Sequence, residues 1–228
     1  MKHPLLWCGL FLLVGIGVAS SINRSVGITK GKLVFDPLRA MLTPSVRSDL
    51  EKYDHKFVEQ RALTFLHIIP GTLLLILVPF QFSSTLRTRH ISFHRWSGRF
   101  VLLTALFTGL FGLLLTVPFI FTGILASSAA LLFGSIFLFA LMRAYIAIRI
   151  HDVSAHREWM IRAFSIAFGI SVIRIVGGLL FLIVPGPSFQ LLGISFWIGW
   201  TLSLGAGEWW IRRGRIKDGA QITDPRPI

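Results

Sequence analysis

The chain has 228 residues, of which 54% are apolar and only 14% charged, and its mean hydropathy is +0.71. Soluble domains carry about a quarter charged residues, so this composition excludes an ordinary soluble globule. The 23 Lys+Arg against 10 Asp+Glu lie mostly between long apolar runs, a pattern of basic loops around membrane spans and not of nucleic-acid binding. The single cysteine, Cys8, excludes a disulfide scaffold.

Crossing the hydrocarbon core takes about twenty mainly apolar residues in α-helix. Six segments qualify: 5–22, 63–82, 100–121, 124–148, 159–184 and 189–207. They predict an all-α, polytopic transmembrane bundle of six spans, or of five were the first a cleaved signal peptide. Residues 5–19 follow a basic start and lead into Gly17-Val18-Ala19-Ser20, the form of a cleavage site. A retained span or signal anchor over 1–22 is the favoured reading, because the polar segment 23–62 is too slight for a separate domain. Within it, Ser48-x-x-Glu51 reads as a capping box, and Leu50, Tyr53 and Phe57 recur at helical spacing. They predict an amphipathic helix lying on the outer surface of the membrane, with His55 solvated.

The connections alternate in charge. Arg87, Arg89, Arg95 and Arg99 follow the second span, Arg149 and Arg157 the fourth, and Arg212, Arg213, Arg215 and Lys217 the sixth. Thr122-Gly123 and Pro185-Gly186-Pro187-Ser188 carry no charge. The positive-inside rule then places the basic links and both termini in the cytoplasm, with the chain in the cell membrane and anionic lipids against its cytoplasmic face. The expected organisation is a first span (1–22), an extracytoplasmic loop (23–62), a five-span core (63–211) and a basic cytoplasmic tail (212–228).

Ionisable groups within a bilayer are costly and usually point into the bundle. At about 100° per residue, Ala105, Gly109, Gly112 and Thr116 make a small-residue packing face on the third span that reaches back through Gly98 to His94. On the fifth, His156, Ala163, Ala167, Arg174 and Gly178 share a face with Ser171 beside them, and Ser154 is a fair N-cap. On the second, His67, Gly71, Val78 and Gln81 align. The expected layers are His94 with His156 on the cytoplasmic side and His67 with Arg174 on the outer side. Arg174 falls near mid-membrane with no carboxylate on its own or the sixth span at that depth. A guanidinium keeps its charge, so Arg174 needs neutral acceptors, a wet cavity, or an acceptor on a ligand or partner. Arg143 and Arg162 read as snorkelling, with Glu158–Arg162 and Glu208–Arg212 as i,i+4 pairs. Trp159, Trp209 and Trp210 read as interface anchors.

His90 and His94 stand at helical metal-ligand spacing, His151 and His156 lie on the next cytoplasmic link, and Asp152 or Glu158 offers zinc a third ligand. Alternatively, His94 and His156 would ligate a haem iron axially while Arg95, Arg99 and Arg157 hold its propionates. The objection is depth, since both histidines lie at the membrane surface. The plainest account of all four is interfacial histidines tying loops to headgroups. Phosphate-binding glycine loops, His-Glu-x-x-His and Gly-x-Ser-x-Gly are absent from the sequence.

The run His67…Phe80-Gln81-Phe82…Arg87…His94-Arg95-Trp96-Ser97-Gly98-Arg99, then His156-Arg157-Glu158-Trp159-Met160-Ile161-Arg162 and Arg174, resembles a family of bacterial multi-pass membrane proteins known as domain of unknown function 2306. The likeness covers about residues 63–183 and rests on His-Arg-x-x-Gly-Arg and His-x-x-Trp-Met-x-Arg. It implies a multi-span protein with no established activity, and it implies that His67, His94, Arg99, His156 and Arg174 are family positions.

The leading expectation is a membrane redox protein binding haem b or a quinone between the second, third and fifth spans. His94 and His156 would be the iron ligands. His67, Arg174, Gln81, Arg95 and Arg99 would complete the cofactor contacts. The alternatives are a carrier of a small anionic or polar solute, helped by Pro70, Pro79 and Pro118, and a non-catalytic subunit that meets another membrane protein.

Overall fold

The computed structural model describes residues 4–30, 43–120, 123–184 and 188–223, with side chains from 7 to 215. All regular structure among them is helical: α1 (Pro4–Thr29), α2 (Pro44–Glu59), α3 (Arg61–Phe82), α4 (Ser84–Arg89), α5 (Ile91–Thr116), α6 (Ile124–Arg149), α7 (Val153–Ile183) and α8 (Gln190–Thr223). Five helices are long and apolar enough to cross a membrane: α1, α3, α5 with its 3-10 extension Val117–Phe119, α6 and α7. Helix α8, which contains the sixth expected span, is not among the five. It packs along α7 and α6. The chain is a polytopic helical bundle. We call its two ends the α2 end and the α4 end.

The polar margins of the spans are more helical than their composition suggests. Helix α1 continues through Asn23 and Arg24 to Thr29, and α5 begins at Ile91, which puts His94 in its first turn. Helix α8 runs on through the basic residues 212–217 to Thr223. The uncharged turns at 121–122 and 185–187 lie outside the described residues, as does 31–42 of the polar segment.

Two expected caps give way to others. Helix α2 starts at Pro44, whose fixed φ and missing N–H suit a first helical position, so Ser48 lies inside the helix and caps nothing. At α7, Asp152 accepts from Ala155 N at 2.9 Å and is the N-cap in place of Ser154. The α6–α7 link is a Schellman turn. Asp152 N donates to Ala147 O at 2.9 Å and His151 N to Ile148 O at 3.2 Å, while His151 takes the left-handed φ of 63° that glycine usually fills.

Small residues set the spacing of the bundle, as expected where lipid offers helices no hydrophobic reason to associate. A Cβ on Gly199 of α8 would lie 2.9 Å from the backbone N and Cα of Ile173 on α7. The central core joins Leu74 and Val78 of α3, Val101 and Ala105 of α5, Phe137 of α6 and Phe164 of α7.

Helix α2 does turn one apolar face inward, but against protein and not against the membrane surface. Val46 and Leu50 pack on Phe181, Phe189 and Leu192. Tyr53 sits among Phe57, Phe119 and Phe189 with ring centroids 5.6, 5.0 and 5.6 Å away. Lys56 Nζ donates to Pro118 O at 2.8 Å. The helix closes one end of the bundle.

Candidate functional site

Beneath α2 lies a cavity of about 260 Å³. One face of each surrounding helix supplies its wall. Thr64, His67, Gly71 and Leu74 recur along α3 at three- and four-residue steps, and Ser127, Ala130, Gly134 and Phe137 do so along α6. Its chemistry changes along the bundle axis. Toward the α2 end it meets Ser20, Ser21, Arg24, Tyr53, Thr64 and Ser127; deeper in it meets Leu74, Leu75, Phe137, Ile166 and Trp200. His67, Thr108 and Arg174 lie between these zones.

The imidazole of His67 is held by Nδ1, which donates to Thr108 O at 2.9 Å. A carbonyl oxygen only accepts, so Nδ1 carries the proton and Nε2 of the neutral ring keeps its lone pair. Gly112 makes room for this ring, since a Cβ there would come within 2.9 Å of Cε1 and Nδ1. The expected small-residue face of α5 therefore opens partly onto a histidine of α3.

Two cations reach the cavity from separate helices. Arg174 lies on α7, about 14 Å from its α2-end terminus, and is engaged within the protein. Arg24 lies on the extension of α1. Its Nη1 contacts Asp54 Oδ1 at 2.6 Å, with side chains only 14% and 7% exposed, and its guanidinium sits 4.1 Å from the Phe57 ring centroid. Among the described residues that line the cavity there is no carboxylate. Burial pushes the Tyr53 hydroxyl up to about 12 against the pull of the Arg24 and Arg174 charges, so Tyr53 is a neutral donor at ordinary pH.

The expected site residues therefore part company. His67 and Arg174 share the cavity, and they are joined by Arg24, outside the expected set, and by Tyr53, expected only as part of the apolar face of α2. Arg24 was legible only by carrying the Gly17–Ser20 face of α1 one further turn. Gln81 does not line the cavity; its Nε2 donates to Ser97 Oγ at 2.8 Å, tying α3 to α5.

At the α4 end, His94 comes within electrostatic reach of His156 and of Arg87. His156 Nδ1 donates to Ala144 O at 2.9 Å, which leaves the lone pair on Nε2. His94 Nδ1 is buried without a partner. These two imidazoles would be the ones to hold a haem iron, were one bound. The rest of the expected haem site does not follow, because Arg95 and Arg99 are exposed and the cavity lies at the other end. The zinc set does not assemble either. Asp152 is spent on its cap, and Glu158 accepts from Arg215, with Nε at 2.5 Å. Among the described residues no group of three or more His, Cys, Asp or Glu is placed to hold a metal ion.

Arg162 does not snorkel. Its Nε and Nη2 donate to the two Glu208 oxygens at 2.5 and 3.2 Å across the α7–α8 contact. Glu158 stands 3.7 Å from Nη1 as the expected i,i+4 pair, and the guanidinium covers the Trp159 ring at 4.6 Å. Glu208 thus serves Arg162 and not the expected Arg212.

Residues 64–211 match the family described as predicted membrane protein (DUF2306), and the chain belongs to that family. The match includes His67, His94, His156 and Arg174 and leaves out Arg24, Tyr53 and Asp54. No curated protein and no solved structure matches the chain.

Proposed function

We propose that this protein is a redox protein of the cytoplasmic membrane that binds a quinone, or a molecule with the same oxygen-bearing head and apolar body, in the cavity beneath α2. The observation that carries this reading is the convergence of Arg24, His67 and Arg174 from three helices on one volume whose deeper wall is apolar. Both termini would lie in the cytoplasm and α2 outside, as the basic links require. The packing of Gly17 against Leu75 and Ser171 favours α1 as a retained span.

The polarity gradient orients the ligand. Guanidinium N–H groups donate to a head oxygen, and Nε2 of His67 accepts from a hydroxyl of the reduced form. Leu74, Leu75, Phe137 and Trp200 take the ring and the start of a tail. The volume lies just under the roughly 300–1,000 Å³ of ordinary small-molecule sites. It suits a one- or two-ring head and is too small for a tetrapyrrole.

Trp200 in the wall supplies the readout. Titrating the detergent-purified protein with 2-methyl-1,4-naphthoquinone should quench tryptophan fluorescence saturably, and Arg174→Gln or His67→Phe should raise Kd about tenfold, a loss of about 1.4 kcal/mol. Non-saturating quenching, alike in all three proteins, overturns the proposal. A Soret band in the same preparation, lost in His94→Ala, would transfer the redox role to a haem at the α4 end.

A further inference from the structure

Both cations on the wall are engaged within the protein, and Arg24 is held by an anion. Its partner Asp54 lies outside the lining, on α2, the helix that closes the cavity, and both side chains are almost wholly buried. A buried ion pair is a poor stabiliser compared with apolar packing, whereas a buried charge deprived of its partner is a strong attractor of any counter-charge. The Phe57 ring over Arg24 contributes a quadrupole and no formal charge.

We infer that Asp54 is the built-in counter-ion of the cavity and determines which ligand charge it accepts. Its carboxylate balances the Arg24 charge, and so weakens the draw on an anionic head relative to a neutral oxygen-bearing one. The inference rests on the reading that the cavity takes such a head, and goes beyond it by assigning selectivity to a residue of α2, outside every candidate span.

The test uses two ligands with the same ring system on the full-length protein, 2-methyl-1,4-naphthoquinone (neutral) and 1,4-naphthoquinone-2-sulfonate (anionic). The wild type should prefer the neutral compound. Asp54→Asn should raise affinity for the sulfonate about tenfold and leave the neutral ligand nearly unchanged, while Asp54→Glu keeps the wild-type preference. If Asp54→Asn does not fold, Asp54→Ser serves, with the same expected gain for the sulfonate and little effect on the neutral ligand. A ratio of the two affinities unchanged by the folded variant overturns the inference while leaving the cavity reading intact. Failure of the wild type to bind the neutral ligand overturns both.

Discussion

On helix α7, Arg162 and Arg174 stand about 18 Å apart along the axis, and the two ends of the bundle treat them differently. At the α4 end Arg162 is enclosed, with two oxygens of Glu208, one of Glu158 and the Trp159 ring around it. At the α2 end Arg174 lines an open volume in the company of a histidine and a second arginine. The residue type and the helix are the same, so the difference lies in what neighbouring helices bring. Helix α8 delivers a carboxylate to one guanidinium. Helices α1, α3 and α5 bring a second arginine, a histidine, hydroxyls and space to the other, which is engaged within the protein as well. One arginine is a rivet between helices, and the other is part of a wall.

If this contrast holds, the largest stability effect belongs to the α4 end. Glu208→Ala should destabilise the protein by about 2 kcal/mol, less than the 3–5 kcal/mol of a fully buried broken pair because Glu208 is partly exposed and Glu158 remains. Thermal denaturation in detergent measures it, and an unchanged Tm would erase the distinction between the two ends.

A comparable effect at the α2 end should emerge only in alkali. Tyr53 has its folded pKa near 12, above about 10 for a free phenol. The folded state therefore binds the phenolic proton more tightly than the unfolded state does, and the associated stability, present in full below pH 10, falls as pH rises toward 12. The loss is on the order of 2 kcal/mol. Absorbance near 295 nm should contain a step close to pH 12 that Tyr53→Phe removes; a lower step lost in that variant would mean that α2 leaves the tyrosine wet.

The smallest effect has the opposite sign. Ser127 is 4% exposed, lines the cavity, and its Oγ has no hydrogen-bond partner. Ser127→Ala should raise unliganded stability by about 1 kcal/mol, the lower end of the cost of an unsatisfied buried hydroxyl, again read by thermal denaturation. A lower Tm instead would mean that the hydroxyl is satisfied in the folded protein.

The apolar runs and the faces within them are legible one helix at a time, because composition and a 100° step suffice for both. His67 and Gly71 on α3 and Ala105 and Gly109 on α5 meet neighbours as their spacing predicts. What escapes is anything set between helices or at their margins. The Arg162–Glu208 pair joins residues 46 positions apart, and no local rule prefers it to Glu208–Arg212. Arg24 looks like loop because Asn23 precedes it, yet tertiary contacts with α2 keep that turn helical. Asp54 stands between Tyr53 and Phe57 on the apolar side of α2, where its charge argues for solvent until a partner arrives from α1. His151 resembles a ligand in sequence and is a turn residue in fact, a role that only its backbone angle reveals.

One consequence follows from the ring of His67 standing where a methyl group at position 112 would go. Two sites on different helices draw on a single parcel of volume, so neither is free to vary alone. A relative with alanine at the position of Gly112 should carry something slimmer than imidazole opposite it, and would lose the Nε2 lone pair along with the bulk.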